Sequence, residues 1–428
     1  MFLPFPFRRA AFFALLASIS SAGWAAEPLT LAEAQRIAVG RSQQLVAQGA
    51  LAAAAREQAV AAGQLPDPVL KFGIDNIPAN GPDQGSLTRD FMTMRRVGVM
   101  QEITRADKRQ LRSERFERDA QRAQAQRQLM LANLQRETAL AWLERHYAQA
   151  MRELVARQIE ETGLQLQAAV SAFGTGRGSQ ADVFAARAAV MTLQDRLSQF
   201  DRQSRSASLM LVRWVGAADA ERPLAASPPW QSSPLHGMPL GEHLKRHPEL
   251  LAMKAEIDAA ETDARLAQAN QASDWSVEAS YAQRGPAYSN MVSIGVAIPL
   301  QWDRKNRQDR ELAAKLAMVD EAKARYEDML RKEEAEAGKS LGDWQTGTER
   351  LARYRDELIP TAGQRAQAAM TAYGTGKADL ASALAARRDD IELRMQALAL
   401  EMETARAWAQ LNFLIPELPG FPPAKEQP

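Results

Sequence analysis

The chain contains no cysteine. Disulfides, thiolate zinc sites and a cysteine nucleophile are thereby excluded, and so is a lipid-modified N-terminal cysteine. Aromatic residues are scarce, at 6%. With Ala, Gln, Arg, Glu and Leu abundant, that composition favours long helices over a thick globular core. Neither charge is in excess: 53 Lys and Arg stand against 52 Asp and Glu. Nothing therefore points to a nucleic-acid partner or to an acidic disordered tail. Histidine is rare, with four in the chain, and no phosphate loop, dinucleotide fingerprint or HExxH occurs. The chain is read as no enzyme, with no cofactor.

Long apolar runs are missing as well, except near the start. Arg8 and Arg9 precede AAFFALLASISSAGWA, which is too short to cross a bilayer comfortably. Gly23 and Ala25 supply a plausible cleavage site before Ala26. Residues 1–25 are read as a signal peptide. No later run reaches the roughly 20 apolar residues of a spanning helix, so an exported chain without a helical anchor is expected.

What the chain does contain is one plan written twice. AFGTGRGSQADVFAAR at 172–187 and AYGTGKADLASALAAR at 372–387 share eight of sixteen positions. Self-similarity at a fixed distance points to internal duplication. LTLAEAQRIAVGRSQQLVAQGALAAAAREQAVAAGQLPD, from about residue 27, and PLGEHLKRHPELLAMKAEIDAAETDARLAQANQASD, around 240, both read as amphipathic helix. Each is followed by two strand-like runs, a very long helical stretch (106–171 and 304–371), the turn, and another helix. The expected organisation is a first repeat at 26–222, a linker at 223–239 within a Pro- and Ser-rich join, a second repeat at 240–416 and a flexible tail at 417–428. The hairpins fall at about 67–103 and 274–302, and the tips at about 173–179 and 373–379.

The strand-like runs alternate. Val292, Ile294, Val296, Ile298 and Leu300 take one face of 291–300. Trp275, Val277, Ala279 and Tyr281 take one face of 274–283. Leu70, Phe72 and Ile74 alternate with polar residues, as do Val97 and Val99. About ten residues with one apolar face fit a transmembrane β-barrel, and Trp275 and Trp302 lie where an interfacial girdle belongs. An ordinary two-sided sheet packed on helices is the plainer alternative. Four strands cannot close a barrel, and an open edge in lipid leaves backbone groups unpaired. Three chains would supply twelve.

The turn is the helix-reversal motif Phe173-Gly174-Thr175-Gly176-Arg177-Gly178-Ser179-Gln180-Ala181-Asp182-Val183-Phe184, repeated from Tyr373 to Leu384. With the duplicated element order, it resembles the TolC-type outer-membrane efflux family over nearly the whole mature chain. AGQLPDPVLKFGI, VGVMQEITRADKR and VSIGVAIPLQWDRKNR look most like its cation-efflux, CzcC/CusC-like branch. The resemblance implies an α+β membrane protein: a homotrimer with a twelve-stranded outer-membrane β-barrel, four strands per chain, continued by a long periplasmic α-helical barrel. It implies a passive exit duct in a tripartite pump, exporting heavy-metal cations of the Cu/Ag or Co/Zn/Cd class. The partners would be outer-membrane lipid, a periplasmic adaptor and an inner-membrane RND-type transporter. A duct for organic drugs or for type I polypeptide secretion is the alternative in the same class, and a periplasmic coiled-coil scaffold the alternative outside it. Some relatives carry a lipidated cysteine; this chain is read as not lipid-anchored.

The resemblance assigns adaptor docking to Phe173, Gly174, Thr175, Gly176, Tyr373, Gly374, Thr375 and Gly376. The glycines permit positive φ at the reversal, and Ser179 and Asp379 suit N-caps. Arg177, Asp182, Lys377 and Asp379 are candidates for gating the aperture; solvated surface charges are the plainer reading. His243 and His247 sit one helical turn apart, with His236 and Met238 upstream, but no third ligand has convincing spacing. Met92, Met94 and Met100 cluster around one strand, where packing is the simpler role. No metal site is assigned.

Overall fold

A computed structural model describes residues 27–235 and 237–416. The expected signal peptide, His236 and the expected tail lie outside the described residues.

The opening helix expected from about residue 27 is two helices, α1 (Leu31–Arg41) and α2 (Gln43–Ala62). Ser42 is extended and accepts from the Leu45 N–H at 3.4 Å, so it ends one helix and caps the next. The later segment breaks in the same way. Short α6 (Leu240–Leu244) precedes α7 (Pro248–Ala269), where Pro248 has no N–H to continue a preceding helix. Between these pairs lie β1 (Val69–Asp75), β2 (Met94–Ile103), α3 (Ala106–Gly174), α4 (Gln180–Val215) and short α5 (Ala217–Glu221). After α7 come β3 (Trp275–Gln283), β4 (Met291–Ala297), α8 (Gln308–Arg353), α9 (Ile359–Gly374) and α10 (Leu380–Asn412).

Helix α3 runs 69 residues without a break, roughly 100 Å at 1.5 Å per residue. Its counterpart starts at 308 rather than 304, because Asp303 accepts from the N–H groups of Asn306 and Arg307 in a turn. It also carries a π turn, Tyr354–Leu358, just before Pro360. The proline removes an N–H from the ladder, and the wider turn absorbs the mismatch. α3 packs against α2, α4, α7 and α10. Buried alanines along it, including Ala120, Ala132, Ala139 and Ala148, let those neighbours approach closely.

The four strands form one antiparallel sheet in the order β1-β2-β3-β4, leaving β1 and β4 as edges. β2 and β3, about 170 residues apart, pair in register, with Val97 opposite Tyr281 and Val99 opposite Ala279. Rows cross the whole sheet: Phe72, Val97, Tyr281 and Val292 in one, and Leu70, Val99, Ala279 and Ile294 in the next. β4 ends at Ala297, short of the expected 300, since Pro299 cannot donate to a ladder.

The join between the halves is a packed strap, not the free tether that its composition suggests. Leu29 bridges in parallel to Leu224, and the Trp142 indole donates to the Leu29 carbonyl at 3.0 Å. Trp230 is only 1% exposed. Its carbonyl accepts from the Trp344 indole at 2.8 Å. Trp142, Tyr147, Leu211, Trp230 and Trp408 thus share one core that ties α3, α4, the strap and α10 together. Replacing Trp230 by Ala should cost about 3–5 kcal/mol, read as a lower thermal midpoint in detergent. An unchanged midpoint would mean that the strap contributes nothing to this core.

Candidate functional site

One face of the sheet is apolar and bare. Phe72, Val292 and Ile294 are 75%, 73% and 78% exposed. Leu70, Val99, Val296, Ile298 and Leu300 are exposed beside them, and Trp302 stands at the helix-proximal end. Leaving this much contiguous apolar surface in water is unfavourable, by roughly 25 cal/mol per Å². The other face is polar. Lys71 reaches Glu278 at 2.6 Å and Arg96 reaches Asp75 at 3.2 Å. Lys71 stands opposite Gly98, and Gly98 opposite Ser280 on β3, so the lysine crosses β2 where there is no side chain. A Cβ at Gly98 would lie 2.8 Å from that of Ser280.

The far end of the long helices carries the two tips, and both close with the same hydrogen bonds. At the first, the Gly176 N–H donates to the Phe173 carbonyl at 3.0 Å and the Arg177 N–H to the Ala172 carbonyl at 2.9 Å. At the second, Gly376 donates to Tyr373 at 2.9 Å and Lys377 to Ala372 at 2.8 Å. This is the Schellman arrangement, with Gly176 and Gly376 at φ +71° and +74°. Gly174 and Gly374 were expected to share the positive φ and do not; they are the last residues of α3 and α9. Thr175 and Thr375 each donate a hydroxyl back to the helix, to Ser171 and Thr371 at 3.2 Å.

Comparison with protein-family models and with curated protein sequences finds no match. Solved structures do match. The outer-membrane channel OprN aligns with a TM-score of 0.74 at 19% identity, covering 90% of each chain. CusC, solved in a study of folding and transmembrane channel formation, aligns at 0.77 and 14% identity over 90% of this chain and 92% of its own. The CmeC outer membrane channel of Campylobacter jejuni aligns at 0.73 and 11% identity over 96% and 95%. The chain has the fold of the TolC-type outer-membrane channels.

Within this channel fold the four gate candidates do not form ion pairs with one another. Asp182 closes a capping box: its carboxylate accepts from the Ser179 N–H at 3.0 Å, and its own N–H donates to the Ser179 hydroxyl at 3.1 Å. Asp379 caps α10 by accepting from Ser382 at 2.9 Å, and hydrogen bonding to Ser382 holds its carboxyl below the ordinary range. Reversing either charge removes a helix cap as well. Arg177 donates to the Thr175 hydroxyl at 3.3 Å, and Lys377 is exposed. Phe173 stays exposed while Tyr373 packs with Leu166, Leu380 and Leu384.

Charged contacts between the two hairpins lie farther up, at residues that sequence reasoning missed. Arg196 on α4 meets Glu392 on α10 at 3.0 Å. Arg387 on α10 pairs with Glu161 on α3 and with Asp390 at 3.3 Å. Asp390, fully buried, also accepts from Arg394 at 2.9 Å. The helical spacing of Arg387, Asp390 and Arg394 is visible in the sequence. Partners such as Arg196 and Glu392 carry no local signal. A cavity of about 390 Å³ between α3, α4 and α10, bordered by these arginines, leaves the seam loosely packed.

His243 and His247 are both buried. His247 faces Glu333 on α8 at 3.8 Å, and among the described residues no cluster of three or more His, Asp or Glu side chains could hold a metal. Met94 and Met100 lie on the polar face of β2, six residues apart, and Met92 in the loop before it. Burial pushes Glu333 up, with Glu336 adding to the rise, while burial pushes His247 down. A raised carboxyl stabilises the fold at acid pH, and that contribution is lost as pH climbs through its folded value. The depressed imidazole contributes above its ordinary value, and that contribution is lost as pH falls. Glu333→Gln should therefore raise the unfolding midpoint at pH 8 and give no gain at pH 4. Midpoints measured across pH check this; an equal gain at both values would contradict it.

Proposed function

We propose that the chain is the outer-membrane component of a tripartite efflux pump, a passive trimeric exit duct that stands in the outer membrane and extends through the periplasm. The observation that carries this reading is the bare apolar face on an open four-stranded sheet, joined to helices on the order of 100 Å long. Lipid covers such a face at no cost in backbone hydrogen bonds only when the sheet edges are paired. β1 of one protomer pairing with β4 of the next closes twelve strands around a threefold axis. The helices support the same closure. α2 and α4 pack on α3, and α8 on α7 and α10, and both groups expose apolar residues, Val46, Val60, Met191 and Leu209 in the first and Leu316 and Met318 in the second.

In this duct the polar sheet face lines the pore and the six tips of the trimer ring the periplasmic mouth. Phe173, Gly174, Thr175, Gly176 and their counterparts Tyr373, Gly374, Thr375 and Gly376 meet a periplasmic adaptor, which couples the duct to an inner-membrane RND-type transporter. Arg177, Lys377, Asp182 and Asp379 line the aperture. The cargo is heavy-metal cations; this rests on the cation-efflux-like segments around β1, β2 and β4. The duct needs no tight metal site of its own, because energy and selection lie upstream.

Two measurements test the reading. Valine at Gly176 or Gly376 is strained at positive φ, by roughly 1–2 kcal/mol, and reshapes the tip far from the barrel. Export should fall at least tenfold while trimers and outer-membrane fractionation persist; retained export in both variants would remove the docking role. A deletion strain and its complement, grown across Cu, Ag, Zn, Cd and Co salts and a set of organic toxicants, tests the cargo. Complementable sensitivity to metals alone is expected. Sensitivity only to organics would overturn the metal assignment, and a soluble protein on fractionation would overturn the duct.

A further inference from the structure

The apolar sheet face ends in a charge. Arg95 lies in the row Ile74, Arg95, Gln283, one row beyond Phe72, Val97, Tyr281 and Val292, and on their side of the sheet. β2 is an inner strand, so closure of the barrel edges places no further strand against Arg95. Under the duct reading, on which this inference rests, the row sits at the external end of the lipid-facing surface, beside the loops 76–93 and 284–290. A guanidinium facing lipid is costly, less so near the interface, and it needs an anion.

The chain does not supply one. Asp75 pairs with Arg96 on the opposite face at 3.2 Å. Asp83 lies 3.5 Å from Arg89, and Asp90 accepts from the Met92 N–H at 2.7 Å. No described acidic side chain forms an ion pair with Arg95, and its Nε is covered without a hydrogen-bond partner. The neighbouring cation is already used: Arg284 donates to the Phe91 carbonyl at 2.8 Å and lies over the Tyr288 ring at 5.1 Å. Asn290 is held between the Arg284 N–H, at 3.1 Å, and the Tyr281 hydroxyl, at 2.6 Å. These contacts fix the rim around Arg95, with aromatic rings below it and the Gln283 amide in the same row.

We propose that Arg95, with Gln283 beside it, binds a phosphate of a phosphorylated glycolipid in the outer leaflet. A guanidinium matches phosphate geometry through paired N–H donors. The apolar rows below it would hold the acyl chains, so one lipid is gripped at both its headgroup and its tails. The site is specific for the phosphate of that glycolipid at this depth and makes no demand on the cargo.

The test uses the full-length trimer purified in mild detergent and mixed with phosphorylated lipid A, dephosphorylated lipid A or phosphatidylglycerol. Retained lipid is counted by native mass spectrometry. The wild type should hold phosphorylated lipid A at least fivefold better than either other lipid. Arg95→Gln should abolish the difference and Arg95→Lys should keep part of it. Arg331→Gln, exposed midway along α8 and away from the sheet, serves as the control and should change nothing. Equal retention by the wild type and Arg95→Gln, or equal retention of phosphorylated and dephosphorylated lipid, would overturn the proposal. So would phosphatidylglycerol held as well as lipid A. Membrane fractionation of the same variants separates this failure from failure of the duct: trimers in the outer membrane with no phosphate preference sink only the lipid site.

Discussion

The pairing of β2 with β3 is the contact on which the molecule depends. It joins two hairpins that stand about 170 residues apart, and it does so in a register that aligns Val97 with Tyr281 and Val99 with Ala279. A slip of one residue would turn every side chain of a hairpin to the other face. The apolar rows would break and Lys71 would lose Glu278. The same pairing sets α3, which leaves the sheet after β2, antiparallel beside α7, which enters it before β3. At the junction, Lys108 in the first turn of α3 reaches Asp274 at 2.9 Å, just ahead of β3. Sheet and helices are thereby locked as one body.

Below that junction the structure is held by two unlike means. Around the strap, large apolar side chains such as Trp142, Trp230 and Trp408 form a conventional core. Toward the tips a smaller apolar cluster around Ala169, Ala186 and Leu380 remains, and ionic contacts such as Arg196 with Glu392 and Arg387 with Glu161 also join the hairpins. Apolar burial resists opening over its whole area, whereas a few half-exposed ion pairs are individually worth little. The uninterrupted α3 and the π turn ahead of α9 add a second asymmetry, since only one of the long helices carries an irregularity.

Much of this was legible in the sequence, for local reasons. The alternation in β1 to β4 marked the apolar face residue by residue. Gly176 and Gly376 announced the reversals because the Schellman turn demands positive φ, and Ser179 and Asp379 announced the caps that follow. Ser42 is a break that an amphipathic pattern runs across, whereas Pro248 by itself marks a place where a helix starts or ends. The packing of the strap was not legible, because Pro and Ser mark a linker without telling what it packs against. Its anchors, Trp230 and Leu235, are isolated apolar residues whose burial depends on Trp142 and Trp344, far away in the chain. For Asp182 the sequence offers a gate or a solvated surface charge, and the structure adds the capping box with Ser179.

The sequence by itself determined which segments form helix and which form strand, which face of each strand is apolar, and that the plan occurs twice. These are consequences of periodicity, turn chemistry and capping, which act over a few residues. Only the tertiary structure decided the strand order, the crossing of Lys71 over Gly98, the ion pairs between hairpins, the burial of Trp230 and the unpaired state of Arg95. Each of those depends on groups brought together from distant positions, and no local pattern encodes which distant neighbour a side chain will meet.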